Sequence, residues 1–533
     1  MTNDKNEKVK VITRSLIVLS LIAGIISYLV AGMGPADAVF ASFNLIKGSV
    51  SDAVEMNWGI RIIRWVSPIS VIAGIITEVK PFFTFFRNRW MFLLTKDIIY
   101  SDSLNGQAFY ESLGGKAVLC KSTAPFAREK KAKRLIIMME KDSDNLEIYS
   151  RFRDDAPKSS ADSNKKKSKK PAKEPQIFLC LNRMEPNLIP SKGNVTVFNI
   201  ADLVAGSFWD NTLKMKSWKD EERTKTEASG ELSAFWKKEN PEMHITIVGY
   251  GNLGHRLLYK ALLLNLFSLK QKIVYNIITS EKISREKITE LKNCYENMND
   301  DEVHSYKSIS ECAEETEKSG HNEIKDADVI IFSEETEPDV IQNLLYTTDT
   351  PLIYYYDPEG MNIEKILTDE NKRLVGFGRQ GDIFKKKKSD KENSGSKIFD
   401  NKLSENAKSF YEGNYLKLML KHGDSGKKAK NWEKLPGYKK GLFINQLDFA
   451  KISIPRESSE EDRDELMTYL PELGHLQWCR YYFLNHYTFG QKKDHICRVH
   501  NHLIPFSKLD GNLKDLNRDI VGELIVFIRD SGL

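Results

Sequence analysis

The run "MHITIVGYGNLGHRLLYKALLLNLF" (243–267) leaves few ways to fold. "HITIV" is a short β-branched stretch, and the leucines after the glycines recur at helical spacing. A strand that enters a glycine turn and leaves it as a helix is the opening of a parallel β–α–β unit. Each glycine has a physical task. Gly249 allows a tight turn, Gly251 lets a phosphate approach the backbone, and Gly254 lets the helix pack close to the strand. The first helical N–H groups then face an anion. The next strand, "KIVYNIITS", ends near Glu281, a candidate partner for a ribose hydroxyl. Glu281 falls later than the usual spacing of about 20 residues. Gly249, Gly251, Gly254 and Glu281 are therefore the candidate contacts for NAD or another nucleotide. The competing reading is the same fold with an empty pocket that serves assembly.

Further strands follow at "DVIIFSE", "PLIYYYD" and "LVGFG", which makes 241–384 a doubly wound parallel α/β unit of Rossmann-like type. A second such unit is expected over 91–240, from "DIIYSD", the helical "GQAFYESLG", "KAVLC", "RLIIMMEK", "QIFLCLN" and "VTVFNI". Its turn reads "SDSLNG", in which only the last glycine, Gly106, survives. Side chains stand where backbone would have to approach a pyrophosphate, so this copy is degenerate and is not expected to hold a dinucleotide. A lysine- and serine-rich insertion at 156–175 reads as a disordered loop, and 385–400 as a linker before a last domain at 401–533.

The amino-terminal 90 residues predict a membrane α-helical hairpin. Leu16 to Met33 carries no charge, about the minimum for a bilayer core of roughly 30 Å. A signal peptide is the alternative, with Lys5, Lys8, Lys10 and Arg14 as its basic region. A second apolar segment, Trp65 to Phe86, is interrupted by Glu78 and Lys80 and followed by Arg87 and Arg89. An amphipathic surface helix is its alternative. Two spans with basic flanks place both termini in the cytoplasm of an inner (cell) membrane, with the lipid bilayer as a partner. Between them "ADAVFASFNLI" reads as a short re-entrant helix. No TVGYG-like filter follows it, so potassium selectivity is not expected.

Catalytic patterns are missing: there is no GxSxG, HExxH or GxxxxGK[ST]. Asp357 and Glu359 in "YYYDPEG", paired carboxylates at a strand end, read first as turn-formers, with ligand binding at the sheet edge as the alternative. The histidines crowded into the last 60 residues lack a regular second pair, so no metal site is expected. Six scattered cysteines form no CxxC pair. The 79 basic and 74 acidic residues leave a net charge of only +5, which gives no reason to expect nucleic acid as a partner.

Two apolar segments followed by tandem nucleotide-type units resemble the TrkA-N/RCK regulatory proteins of potassium transport, over roughly residues 11–384. The last domain resembles the RyR repeat, in two stretches. In 405–452, "ENAKSFYEGNYLKLM…NWEKLPGYKKGLFINQLDFAKI", the resemblance implies Tyr415, Trp432 and Asn445 as ligand-binding residues. In 470–524, which holds "LPELGHLQWCRYYF" and "LKDLNRDIVGEL", it implies Glu472, His475, Trp478, Arg480 and Arg518. Gly474 and Tyr487 depart from the family pattern. The plain alternative is that Trp478, Phe483 and Phe489 are core and that the histidines satisfy buried groups. Together these resemblances imply a ligand-gated channel or pore-forming effector that passes ions. It would be a homo-oligomer, a tetramer, that senses a small nucleotide-derived signal, with bacterial antiphage defence as one setting. A membrane-anchored NAD-dependent oxidoreductase and a non-conducting scaffold are the alternatives.

Overall fold

The computed structural model describes residues 2–46, 49–50, 55, 57–153, 174–183, 194–213, 242–266, 268–295, 300–318, 322–350, 352–367, 373–384, 398, 402–422, 431–454 and 460–531. The insertion at 156–175, the linker at 385–400 and the filter-position stretch at 47–59 fall largely outside them. The chain divides into two units, Met1–Lys96 and Asp97–Leu533.

The first unit is three helices, Thr2–Val30, Pro35–Ile46 and Trp58–Thr95. The expected short helix at "ADAVFASFNLI" is the second of these. Tyr28, Ala38, Ala41, Leu45, Ile60 and Ile63 form their common core. Asn57 caps the long helix by accepting from Ile60 N at 2.9 Å and reaches back to Ser27 O at 3.0 Å. The membrane hairpin is not supported: among the described residues no helix is long and apolar enough to cross a membrane. The first helix stops at Val30, before the glycine turn at Gly32. Its charge-free part, Ser15–Val30, spans about 24 Å at 1.5 Å per residue, short of the hydrocarbon core of roughly 30 Å. The third helix is long, but Glu78 and Lys80 interrupt its apolar run. The expected two-span placement in the inner membrane falls with it. The first helix does present an exposed apolar stripe, Leu19, Ile22, Ile26 and Leu29, at helical spacing.

The second unit holds two parallel sheets. The first comprises β1 (Asp97–Tyr100), β2 (Val118–Cys120), β3 (Arg134–Ile137), β4 (Gln176–Cys180) and β5 (Val195–Phe198), in the order β2-β1-β3-β4-β5. Ile98, Ile99, Leu135, Ile136 and Ile177–Cys180 are buried, as expected of strands covered on both faces. This order is the flavodoxin-type winding, a departure from a second copy of the dinucleotide fold. The second sheet comprises β6 (Glu242–Val248), β7 (Lys272–Ile278), β8 (Glu302–Tyr306), β9 (Val329–Phe332), β10 (Leu352–Tyr356) and β11 (Leu374–Phe377). Its order, β11-β10-β9-β6-β7-β8, is the six-stranded dinucleotide-fold winding, with the switch point between β6 and β9.

The sheets share a core. Trp209, on the helix Ile200–Leu213 after β5, donates to Leu257 O at 2.9 Å on the helix that follows β6. The helix Gln380–Phe384 after β11 returns to the first sheet, where Phe384 meets Phe109 edge-on at 5.6 Å. The rest is mainly helical: Lys402–Phe410, Leu416–Lys421, Gly437–Ser453, Glu460–Leu484 and Gly511–Ser531, with one two-stranded pair at Thr488–Phe489 and Val499–His500.

Candidate nucleotide site

Strand β6 ends at Val248, and Gly249 turns the chain with φ +92°, a conformation that L side chains rarely adopt. Its N–H donates to Ile278 O at 2.9 Å, which anchors the turn to β7. The helix Asn252–Leu264 starts at once, with Gly251 at its N-cap and no side chain capping it. Gly254 sits against β6 so closely that a Cβ there would collide with the Gly249 carbonyl oxygen. Ser333, just after β9, donates to that same carbonyl at 2.9 Å.

The anion position at this turn is already engaged by the chain. Gly251 N donates to Glu334 Oε1 at 2.9 Å. A Cβ on Gly249 or Gly251 would meet the Glu334 side chain at 2.9 or 2.8 Å, so the carboxylate lies across both glycines. Glu334 is exposed, so a competing anion has access to it. A helix N-terminus favours negative charge whether a ligand or a side chain supplies it. The sequence reading passed over Glu334. Its signal was the acidic pair in "FSEET", directly after a strand that neighbours β6.

Glu281 follows β7 on the same sheet edge and is exposed. Its carboxylate accepts from Ser284 Oγ at 2.9 Å, in the first turn of the helix Lys282–Tyr295. Asp357 is fully buried and is a turn-former: it accepts from Met361 N at 2.7 Å and Asn362 N at 3.1 Å, and pairs with Arg379 at 3.3 Å. His255, in the first turn of the helix after the glycines, faces Tyr250 OH at 3.1 Å. Burial, helped by Arg256 and Lys287, lowers its pKa to about 4, so it is neutral at pH 7. In the degenerate turn, Ser103 caps the helix Leu104–Ser112 by accepting from Gly106 N at 3.2 Å. Ser101 Oγ binds Met138 O at 2.8 Å. The Ser101 side chain packs directly on Gly106, so a Cβ at that glycine would collide with it.

The residues implied by the RyR resemblance lie on several helices of the last domain. Tyr415 stacks on Tyr411 and meets Phe443 edge-on at 4.8 Å; buried Trp432 joins the same aromatic group. His475 and Trp478 stack at 5.6 Å, with His500 edge-on to Trp478 at 4.9 Å. His475 Nε2 contacts Ile504 O at 2.8 Å, and burial lowers its pKa. Glu472 is half-buried on the same helix. Arg518 is exposed and pairs with Asp515 at 3.2 Å, one turn away. Among the described residues no group of three histidine, cysteine or acidic side chains is placed to hold a metal ion.

Arg480 and Asn445 have a different position. Arg480 is fully buried, donates to Asp301 Oδ2 at 2.6 Å and to Leu262 O at 3.0 Å, and has no face toward a solvent-borne ligand. Asn445 Oδ1 lies 3.5 Å from Lys260 Nζ, and Lys260 also pairs with Asp448 at 3.8 Å. Lys260 and Leu262 belong to the helix that begins at the glycine turn. One helix therefore meets Glu334 at its N-terminus and the helical domain further along.

A separate polar cavity of about 480 Å³ opens on the face of the second sheet at the start of its strands. Lys272 bridges Glu242 and Glu302 there, and His244 meets Glu323 at 2.6 Å. His304 also meets Glu302 there, at 2.9 Å. No protein-family model matches the chain, and no curated protein and no solved structure matches it either.

Proposed function

We propose that this chain is a non-catalytic ligand sensor. A nucleotide-type anion takes the glycine turn of the second sheet in competition with Glu334, and the helix Asn252–Leu264 transmits the change to the helical domain. The observation that carries this reading is the double attachment of that helix, with Glu334 across its first residues and Lys260 and Leu262 bound to Asn445 and Arg480. A ligand shifts such an equilibrium only through different affinities for its two packings, here Glu334 seated and Glu334 displaced. The resemblances to the RCK and RyR families support a sensory role. The exposed apolar stripe Leu19–Leu29 supports self-association of the amino-terminal helices.

The test titrates NAD, NADH and ATP into the full chain and its Glu334→Gln variant by calorimetry, with hydrogen exchange read on Gly437–Ser453 and Glu460–Leu484. An exposed carboxylate at a helix N-terminus is worth up to about 1 kcal/mol, so Glu334→Gln should tighten binding about fivefold. Exchange in the two helices should change with occupancy. Failure of every nucleotide to bind either protein refutes the site, and binding without any exchange response refutes the coupling. Loss of NADH absorbance with added carbonyl substrates would put an oxidoreductase in its place.

A further inference from the structure

Three helices of the carboxy-terminal domain, Gly437–Ser453, Glu460–Leu484 and Gly511–Ser531, enclose a cleft that contains a buried polar conflict. Gln477 is 0% exposed and lines this cleft, yet neither its amide nitrogen nor its amide oxygen has a hydrogen-bond partner. Ser453 Oγ, on the facing helix, is buried and unpartnered in the same way. The rim carries Gln446 and Asn517, half-buried, and the walls are apolar, with Phe449, Ile520 and Leu524 among them. None of the lining side chains is charged.

A buried primary amide without partners opposes folding, and an apolar side chain of the same shape would pack there at no such cost. The amide offers a donor and an acceptor side by side, and the hydroxyl opposite can serve as either. The cleft as a whole encloses about 30 Å³, room for one water-sized group. A small polar head is what fits beside Gln477, and a ring that bears it would stay at the open mouth, beside the half-buried Gln446 and Asn517.

We propose that this cleft is a second ligand site, which takes an uncharged planar group presenting a hydrogen-bond donor beside an acceptor. A primary carboxamide and a nucleobase edge both have that chemistry. The absence of charge from the lining disfavours a phosphate or carboxylate head, which would be desolvated without a counter-ion. Gly474 lies in the wall, and a Cβ added there meets only Val521 Cγ2, at an ordinary 3.7 Å. A methyl at that position narrows the cleft while the helix packing stays intact. None of the residues that line the cleft belongs to the glycine turn or to the helix that follows it, so the site stands whether or not the turn binds nucleotide.

The experiment uses the full chain with adenine and nicotinamide as separate probes, read by saturation-transfer NMR and by thermal shift on wild type, Gln477→Leu and Gly474→Ala. At least one probe should bind wild type and raise its melting temperature. Gln477→Leu should weaken that binding about tenfold or more, the loss expected when paired donor and acceptor contacts disappear, and Gly474→Ala should weaken it by narrowing the cleft. Without probe, Gln477→Leu should melt higher than wild type, because its unpaired amide is gone. Adenine alone responding assigns the site to a nucleobase, and nicotinamide alone to a carboxamide. The proposal is overturned if neither probe binds wild type, or if binding survives undiminished in Gln477→Leu. Should Gln477→Leu fail to fold, undiminished binding in Gly474→Ala overturns it.

Discussion

The Arg480–Asp301 pair joins the helical domain to the second sheet, and its removal should be costly. Both side chains are fully buried. Asp301 also accepts from Ile273 N at 2.8 Å and from Gln271 Nε2 at 3.2 Å, while Arg480 also holds Leu262 O at 3.0 Å. Arg480→Met keeps much of the aliphatic stem but deletes two charge-assisted hydrogen bonds and strands the Asp301 charge in the interior. Breaking one side of a buried pair costs about 3–5 kcal/mol. In Arg480→Met/Asp301→Asn neither charge remains buried, so the two single losses should not add. A coupling of about 2 kcal/mol is expected, within the range for side chains in direct contact. The assay is urea unfolding followed by tryptophan fluorescence, since Trp432 and Trp478 both lie in the helical domain. Because the unit holds several subdomains, the four proteins should be compared on the transition that reports those tryptophans. A loss below about 1 kcal/mol for Arg480→Met, or additive single variants, would refute the pair as the joint between the domains.

Other outcomes follow from the glycine turn. Gly254→Ala should destabilise the second sheet by about 2 kcal/mol or more, because its Cβ collides with backbone that cannot move aside; thermal melting checks this. His255 is held near pKa 4, below the ordinary 6.5, so the unfolded chain binds the extra proton between those values. Its contribution to stability is complete above about pH 6.5 and is lost as pH falls toward 4, a change of about 3 kcal/mol by linkage. His255→Leu should flatten that part of the pH–stability curve, and an unchanged slope would refute the assignment. Leu19→Glu with Ile26→Glu should reduce the mass seen by light scattering if the exposed stripe is a self-association surface.

The parts of the fold visible in the sequence are those with local causes. The strand, turn and helix around "GYGNLG" follow from glycine sterics and leucine spacing, and "DVIIFSE", "PLIYYYD" and "LVGFG" are apolar runs of strand length. Strand β8, "EVHSY", escaped notice because it is an edge strand with only Val303 buried, which leaves no hydrophobic pattern. The order of the first sheet was equally hidden. Both windings use the same strand and helix patterns, and only the packing of crossovers chooses between them. The membrane expectation failed at a boundary. The charge-free run extends to Met33, but the helix ends at Val30, and chain end points of this kind are set by neighbouring contacts.

The amino-acid sequence alone determined a parallel α/β body, a glycine-rich turn in one sheet and a serine-containing turn in the other, since each depends on residues within a few positions of one another. Tertiary structure alone decided which anion occupies the turn and what Arg480 is for. Glu334 reaches Gly251 from 83 residues away, and Arg480 reaches Asp301 from 179. A charge acquires its role from whatever compensates it, and in both cases the compensating group is distant in the chain and adjacent only after folding.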